Sequence, residues 1–293
     1  MSGPPAWRDY SPAELDAQYH VSPPSSPERE RQRREVDAEN VCVRATAECR
    51  LDVAYGDGAD ELLDIFPASQ PGSPVVLNIH GGYWKQFSKS DESLYAPLFV
   101  AVGAAYVAID YTLAPTATLD EIVHQCRTAT AWVVRNAETF GGDPSRIHLL
   151  GRSAGGHLCA MMLAVDWTAE LDRDESPIAG ATLISGLFDL EPVRLCFANE
   201  WTRLDAAAAH RLSPMHHLPA TKCPLIVAWG GAETDEFRRQ SQDYAAVCRE
   251  TGFNCETIEI PNALHGGSRA EILNSESDLT QAIFAQAGLR NPC

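Results

Sequence analysis

Several features of common protein classes are missing from this sequence of 293 residues. Its apolar runs all fall short of the roughly 18 residues that a membrane-spanning helix needs. The first twenty residues are polar and contain proline, so we expect no secretory signal peptide. Basic residues are scarce, with 23 Lys and Arg against 40 Asp and Glu and a formal net charge of −17. We therefore expect no nucleic acid and no anionic membrane as partner, because both would be repelled.

The cysteines form no disulfide or metal-binding framework. Nine of them are scattered without a Cys-x-x-Cys pair, and an odd number in a chain of this length is typical of reduced thiols. The sequence therefore predicts a cytoplasmic protein. His210, His216 and His217 lie close together but lack metal-ligand spacing, so we expect no metal and no other cofactor. The sequence leaves a homodimer open.

Strand-like and helix-like patterns alternate from residue 40 onward. Residues 74–80 and 104–111 are near-continuous apolar runs, as in strands that are covered on both faces. Thr118 and Glu121 form a capping box, after which Ile122, Cys126, Ala129 and Val133 make an apolar helical stripe. The other predicted strands are 49–56, 61–68, 147–151, 178–186, 223–230 and 254–260, and the other helices are 156–165, 235–251 and 269–288. This alternation predicts a single α/β domain over residues 1–293, with a mostly parallel sheet between two layers of helices.

Two segments depart from this alternation. Residues 1–40 combine Pro, Ser and mixed charges, and Ser26 followed by Pro27 predicts a helix start. This arm is either a solvated helix or a flap over a pocket. Residues 187–217 are irregular and predict a small helical cap inserted near the carboxyl edge of the sheet.

The sharpest chemical signal is Gly151-Arg152-Ser153-Ala154-Gly155, a G-x-S-x-G motif between a predicted strand and a predicted helix. In a nucleophile elbow this turn exposes the serine, and the flanking glycines avoid collisions with neighbouring backbone. An ordinary glycine-rich turn is the alternative. We predict that Ser153 is a nucleophile.

A serine nucleophile needs a base and an acid, which follow it in the order acid, then histidine. His265 is the only later histidine that follows the last predicted strand, so we predict that it is the base. The acid should follow the preceding strand, where Glu233, Asp235 and Glu236 are available. We favour Glu233 because Asp235 has the pattern of a helix N-cap.

The segment His80-Gly81-Gly82-Tyr83-Trp84 follows an inner strand. A second requirement of acyl transfer, the stabilisation of an oxyanion, explains its glycines. Acyl transfer places negative charge on the carbonyl oxygen, and backbone N–H groups must stabilise it. We predict that the amides of Gly81, Gly82, Tyr83 and Ala154 form this oxyanion hole. His80 would hold the loop, and Tyr83 and Trp84 would either wall the pocket or pack in the core.

These motifs, with "DYTLAP" at 110–115 and "WRDYSPAELDAQY" at 7–19, resemble the α/β-hydrolase fold and, more narrowly, the kynurenine formamidase group, which is related to the hormone-sensitive-lipase-like esterases. The resemblance implies a serine hydrolase that acts on small N-formyl arylamines such as N-formylkynurenine. It also places the family's acid at Glu233, where the family has Asp.

The arylformamidase interpretation implies a substrate pocket, and two alternatives to it stay open. The substrate pocket would include Trp84 and Trp201, and Arg203 or Arg211 would bind the substrate carboxylate. A carboxylesterase that acts on small or aromatic esters is the alternative enzyme, since it would use the same residues. A binding protein without catalysis is a third reading, although such proteins usually lose the serine or the histidine, and both are present here.

Overall fold

The structure is a computed structural model that describes residues 6–21, 26–220 and 222–290. A sheet of eight strands lies at its centre, in the spatial order β1-β2-β4-β3-β5-β6-β7-β8. The strands are β1 (Arg50–Ala54), β2 (Leu62–Phe66), β3 (Ser73–Ile79), β4 (Ala105–Ile109), β5 (Gly142–Arg152), β6 (Ile178–Ile184), β7 (Leu225–Gly230) and β8 (Cys255–Ile260). β2 is antiparallel to β1 and β4, and all other neighbours are parallel. The predicted α/β-hydrolase fold class is confirmed.

Helices cover both faces of this sheet. They are α1 (Pro12–Tyr19), α2 (Pro27–Thr46), α3 (Ala96–Ala101), α4 (Leu119–Asn136), α5 (Ala154–Leu163), α6 (Trp167–Leu171), α7 (Glu191–Arg194), α8 (Asn199–Thr202), α9 (Ala206–Arg211), α10 (Asp235–Glu250), α11 (Ser268–Leu273) and α12 (Asp278–Ala287). In the parts of the chain that the structure describes, none of these helices is long and apolar enough to cross a bilayer.

The alternation of side chains along β3 divides the core into two clusters. Val75, Leu77 and Ile79 pack with α4, α5 and α10 on one face, whereas Val76 packs with α3 and α12 on the other. Successive residues of a strand point to opposite faces. All seven residues of β3 are buried, which explains the apolar run in the sequence.

Local sequence signals account for several helix starts. The Thr118 hydroxyl accepts a hydrogen bond from the amide of Glu121, and the Glu121 carboxylate accepts one from the amide of Thr118, as the capping box predicts. Ser26 caps α2 by accepting from the amide of Arg29 at 3.3 Å. The apolar stripe predicted for α4 is buried throughout.

Two predicted boundaries are wrong. The helix predicted at 269–288 is divided into α11 and α12, because Ser277 caps α12 and its hydroxyl donates to the carbonyl of Glu271. β5 begins at Gly142 rather than at residue 147, since Gly142 already pairs with Ser73 of β3.

The two segments outside the alternation meet above the sheet. Residues 187–217 contain α7, α8, α9 and a short 3₁₀ turn at Pro214–His216. The N-terminal segment with α1 contacts this region, because Asp16 accepts from the amide of Phe197 at 2.6 Å. It also contacts the loop after β3, where the Tyr83 hydroxyl donates to the Tyr19 carbonyl at 2.5 Å. Whether this segment moves as a flap stays a prediction.

Candidate active site

Ser153 lies at a sharp turn between β5 and α5. Its φ of 56° and ψ of −123° are a strained combination for a residue other than glycine, as in a nucleophile elbow. A Cβ on Gly155 would lie 2.0 Å from the carbonyl oxygen of Ile79, and one on Gly151 would lie 2.3 Å from that of Gly155. The turn therefore requires glycine on both sides of the serine, which explains the motif.

Glu233 and His265 meet at the carboxyl edge of the sheet, in the loops after β7 and β8. The Oε1 atom of Glu233 lies 2.8 Å from Nδ1 of His265, and the side chains are only 1% and 12% exposed. Oε2 of Glu233 is buried and has no hydrogen-bond partner in the described part of the chain. Because a buried carboxylate needs compensation, the imidazole is its principal stabilising contact.

Ser153 and His265 border the same cleft. Within the described residues, no hydrogen bond of 3.5 Å or less joins the Ser153 hydroxyl to the imidazole. Such bonds are often long in the absence of substrate and shorten when it binds. The geometry thus contains the acid–histidine half of a proton-transfer chain, with the serine beside it.

Asp235 lies outside this arrangement. It is the first residue of α10, its side chain is 68% exposed, and it pairs with Arg238 one turn later. The predicted N-cap role of Asp235 is wrong, since Thr234 holds that position and donates its hydroxyl to the carbonyl of Gln18. The structure therefore brings Glu233, and not Asp235, to the histidine.

The glycine loop after β3 lies directly against the nucleophile. A Cβ on Gly81 would lie 3.4 Å from Cβ of Ser153, and Gly81, Gly82 and Tyr83 all border the cleft. Gly82 has a φ of +93°, which favours glycine. Ala154 is the first residue of α5, where amides have no partner within the helix. Backbone donors are thus available on two sides of Ser153.

His80 and Tyr111 hold this loop in place. The Nδ1–H of His80 donates to the carbonyl of Gly81 at 2.9 Å, and its ring stacks on Tyr111 at 4.1 Å. The Tyr111 hydroxyl donates to the carbonyl of His80 at 3.0 Å. Complete burial lowers the pKa of His80, so the ring stays neutral. Its role here is structural.

The cleft has a volume of about 380 Å³. Its walls come from five parts of the chain: the N-terminal segment, residues 81–92 after β3, the end of β5 with Ser153, residues 187–217, and residues 265–269. They include Tyr19, His20, Val21, Lys85, Phe87, Arg152, Phe197, Trp201 and Arg269. Apart from Trp201, sequence reasoning missed these residues. Only Arg152 and Arg269 carried a signal, since Arg152 lies next to Ser153 and Arg269 lies four residues after His265 in the sequence.

The predicted pocket residues have different positions. Trp201 borders the cleft and donates its indole N–H to the carbonyl of Tyr83 at 3.0 Å. Trp84 is fully buried in the core and does not border the cleft. Arg203 lines a separate depression, and Arg211 forms a bidentate ion pair with Asp120. The structure does not bring Trp84, Arg203 or Arg211 to the nucleophile.

His157 is fully buried beneath the elbow and faces away from the cleft. The indole N–H of Trp84 donates to its Nδ1 at 3.2 Å, and its Nε2–H donates to the carbonyl of Leu212 at 2.8 Å. Burial lowers its pKa to about 4, so the ring is neutral. His210 stacks on His216 at 4.1 Å, and the described residues contain no group of three or more potential ligands that could hold a metal ion.

The sheet order, the strained serine and the buried histidine–carboxylate pair define an α/β-hydrolase. Residues 63–183 match the BD-FAE family model. The kynurenine formamidase of Danio rerio is 31% identical over 96% of this chain and 98% of its own length. The chain belongs to the kynurenine formamidase family.

Two more distant proteins extend this comparison. An esterase of Mycobacterium tuberculosis is 28% identical over 76% of this chain and 58% of its own length. The crystal structure of a candidate thioesterase from Silicibacter sp. TM1040 has a TM-score of 0.79 and 28% identity, and it covers 92% of this chain and 98% of that one. All of these proteins are described as hydrolases, and the predicted hydrolase class is confirmed.

Proposed function

We propose that this enzyme is an arylformamidase that hydrolyses N-formyl arylamines such as N-formylkynurenine, with Ser153, His265 and Glu233 as its triad. The 2.8 Å contact between Glu233 and His265, in a cleft shared with Ser153, is the observation that carries the mechanism. The similarity to a kynurenine formamidase over nearly the whole chain supports the substrate class.

The reaction proceeds in two halves. His265 removes the hydroxyl proton of Ser153 through Nε2, and the serine oxygen attacks the formyl carbon. The C–N bond then breaks, and His265 returns the proton to the departing arylamine. In the second half, a water molecule loses a proton to His265 and attacks the formyl ester; the C–O bond to Ser153 then breaks, His265 returns the proton to the serine oxygen, and formate is released. Glu233 orients the imidazole and stabilises its cation in both halves.

The oxyanion of each tetrahedral intermediate would be bound by backbone amides. Ala154 supplies one donor from the start of α5, and Gly81, Gly82 and Tyr83 are the candidates for the others. Donors that are held in place before the reaction lower the barrier because they need no reorganisation when charge develops. Loss of one such donor costs about 10²- to 10³-fold in turnover.

The aromatic side of the cleft suits the arylamine. Tyr83, Phe197 and Trp201 contact one another edge to face, with ring centroids 5.5–6.1 Å apart. Such a wall offers apolar surface to an aromatic ring. We propose that a formyl group occupies the narrow side near Gly81, and that the N-terminal segment and residues 187–217 cover the ring as a flap and a cap of one domain.

We also propose a cytoplasmic location. The eight cysteines in the described residues are all free, and six of them are buried, which supports a reducing compartment.

Initial rates with N-formylkynurenine and with short p-nitrophenyl esters test the proposed function. We expect the formamide to be hydrolysed with the higher kcat/KM, and Ser153→Ala to reduce turnover of both substrates at least about 10³-fold. A formamide rate no higher than that in buffer would refute the arylformamidase assignment.

A carboxylesterase is the second candidate, favoured by the similarity to a mycobacterial esterase. It would hydrolyse the esters alone. An organophosphonate should add one mass label to the native enzyme and none to Ser153→Ala. A native protein that takes no label would favour a binding protein instead.

A further inference from the structure

The cleft has a charge opposite to that of the whole chain. Its border includes Lys85, Arg152 and Arg269, and Glu92 is the one carboxylate among the described residues that line it. The chain as a whole has a formal net charge of −17. A positive cleft in an acidic protein attracts anions to the nucleophile. This contrast indicates that the substrate carries a negative group.

Two of the three cations are already engaged by the protein. Arg152 donates from Nε to the hydroxyl of Ser268 at 2.9 Å and from Nη2 to the carbonyl of His265 at 3.4 Å. These bonds fasten the elbow to the histidine loop. The ammonium of Lys85 lies 4.2 Å from the ring centroid of Trp201, and its side chain is exposed at the rim. Neither cation is placed as a dedicated carboxylate ligand.

Arg269 differs from both. Its Nε atom is buried without a hydrogen-bond partner, and no carboxylate oxygen of the described residues lies within 4.0 Å of its guanidinium. Burial by itself would lower the pKa of Arg269, but Tyr95 and Glu92 raise it by a larger amount. The net pKa is therefore raised, and the group stays charged. The guanidinium interacts with Tyr95, but its buried Nε–H donor has no acceptor, which is costly unless a ligand supplies one.

We infer that Arg269 is the residue that binds the carboxylate on the leaving arylamine, so that the enzyme selects N-formyl arylamines whose side chain carries a carboxylate. This inference rests on the proposed function. The planar guanidinium matches a carboxylate with two parallel hydrogen bonds, whereas a lysine offers a point charge. Glu92, which is 5% exposed and acts electrostatically on Arg269, suits the ammonium of an α-amino acid at the same position.

Two formamides that differ only in the charged group test this inference. N-formylkynurenine carries the amino acid group, and 2′-formamidoacetophenone has the same ring and ketone without it. Arg269→Gln should raise KM for N-formylkynurenine about 10- to 100-fold, the effect of losing a hydrogen bond to a charged group. The kcat for this substrate, and kcat/KM for the neutral formamide, should change by less than about 3-fold. Arg269→Lys should recover part of the lost affinity.

Arg203→Gln is the matched control, because this arginine lies outside the cleft. It should leave both substrates unchanged. The inference is overturned if Arg269→Gln impairs the two formamides equally, which would indicate a structural role, or if Arg203→Gln selectively impairs the charged one.

A failure of the proposed function would give a different result from a failure of this inference. In that case the unaltered enzyme hydrolyses neither formamide. Aryl acetates with and without a propionate side chain then replace the two formamides. The same selective rise in KM for the charged ester would support the carboxylate site, and its absence would refute it.

Discussion

The assignment of Glu233 as the triad acid leads to a direct comparison of two neighbouring carboxylates. Glu233→Ala removes the oxygen that lies 2.8 Å from Nδ1 of His265. Asp235→Ala, two residues later, removes an exposed carboxylate that pairs with Arg238 on the surface of α10. Because both variants replace one acidic side chain by alanine within three residues of the chain, the second is a control for the first.

The size of the effect follows from the surroundings of the pair. Opposite charges about 4 Å apart at an effective dielectric constant of about 20 attract by about 4 kcal/mol, which corresponds to about 10³-fold in rate. Loss of the correct imidazole tautomer and orientation raises the expected fall in kcat to about 10³- to 10⁴-fold. Asp235→Ala removes a surface ion pair near a helix start, so kcat should change by less than about 3-fold.

The assay is the rate of arylamine release from N-formylkynurenine, or of phenol release from an ester if that proves the better substrate. Thermal unfolding of both variants shows whether each is folded. Equal losses of kcat in two folded variants, or a greater loss in Asp235→Ala, would refute the geometric reasoning and with it the assignment of Glu233.

The remaining predictions concern other parts of the site. Gly82→Val should reduce kcat at least about 100-fold and lower the Tm, since a Cβ there would lie 2.3 Å from the carbonyl oxygen of Gln86; unchanged kinetics would exclude this loop from the oxyanion hole. Burial lowers the pKa of His157 from its ordinary value of 6.5 to about 4. Below pH 6.5 the unfolded chain therefore binds a proton at this residue that the folded protein does not bind, so the folded state loses stability as the pH falls. Urea unfolding should show a loss of about 2 kcal/mol from this residue between pH 7 and pH 5, which is absent in His157→Gln; an equal loss in that variant would contradict the account. Tyr19→Phe removes a buried hydroxyl that donates to Glu236 at 3.0 Å and should cost about 1–3 kcal/mol in unfolding free energy, measured by denaturant titration; a cost below about 0.5 kcal/mol would show that the N-terminal segment is held by other contacts.

Local sequence was sufficient for most of the fold. The buried strands β3 and β4 appeared as continuous apolar runs because helices cover both of their faces, and Thr118 began α4 through a capping box. The elbow could also be predicted from local sequence. The collisions that Gly151 and Gly155 avoid involve backbone atoms of one turn and of the adjacent strand, so they leave a short glycine motif. The prediction was wrong at the boundary between α11 and α12, where the cap at Ser277 interrupts a pattern that resembles one continuous helix.

The composition of the cleft was decided by tertiary structure. Tyr83 and Trp84 both follow the two glycines, yet only Tyr83 borders the cleft. The indole of Trp84 points into the core and donates to His157, and the tryptophan that borders the cleft is Trp201. Arg203 lies near Trp201 in sequence but faces another depression, whereas Arg269, which no sequence motif marks, borders the cleft.

The sequence by itself therefore determined the strands, the cap of α4, and the candidates Ser153 and His265 for nucleophile and base, because these signals depend on neighbours within one turn or one strand. The choice between Glu233 and Asp235, and the identity of the cations around Ser153, depended on which loops the sheet order brings together. Those loops are far apart in the chain, and a side chain's direction at a shared edge follows from packing that no local pattern encodes.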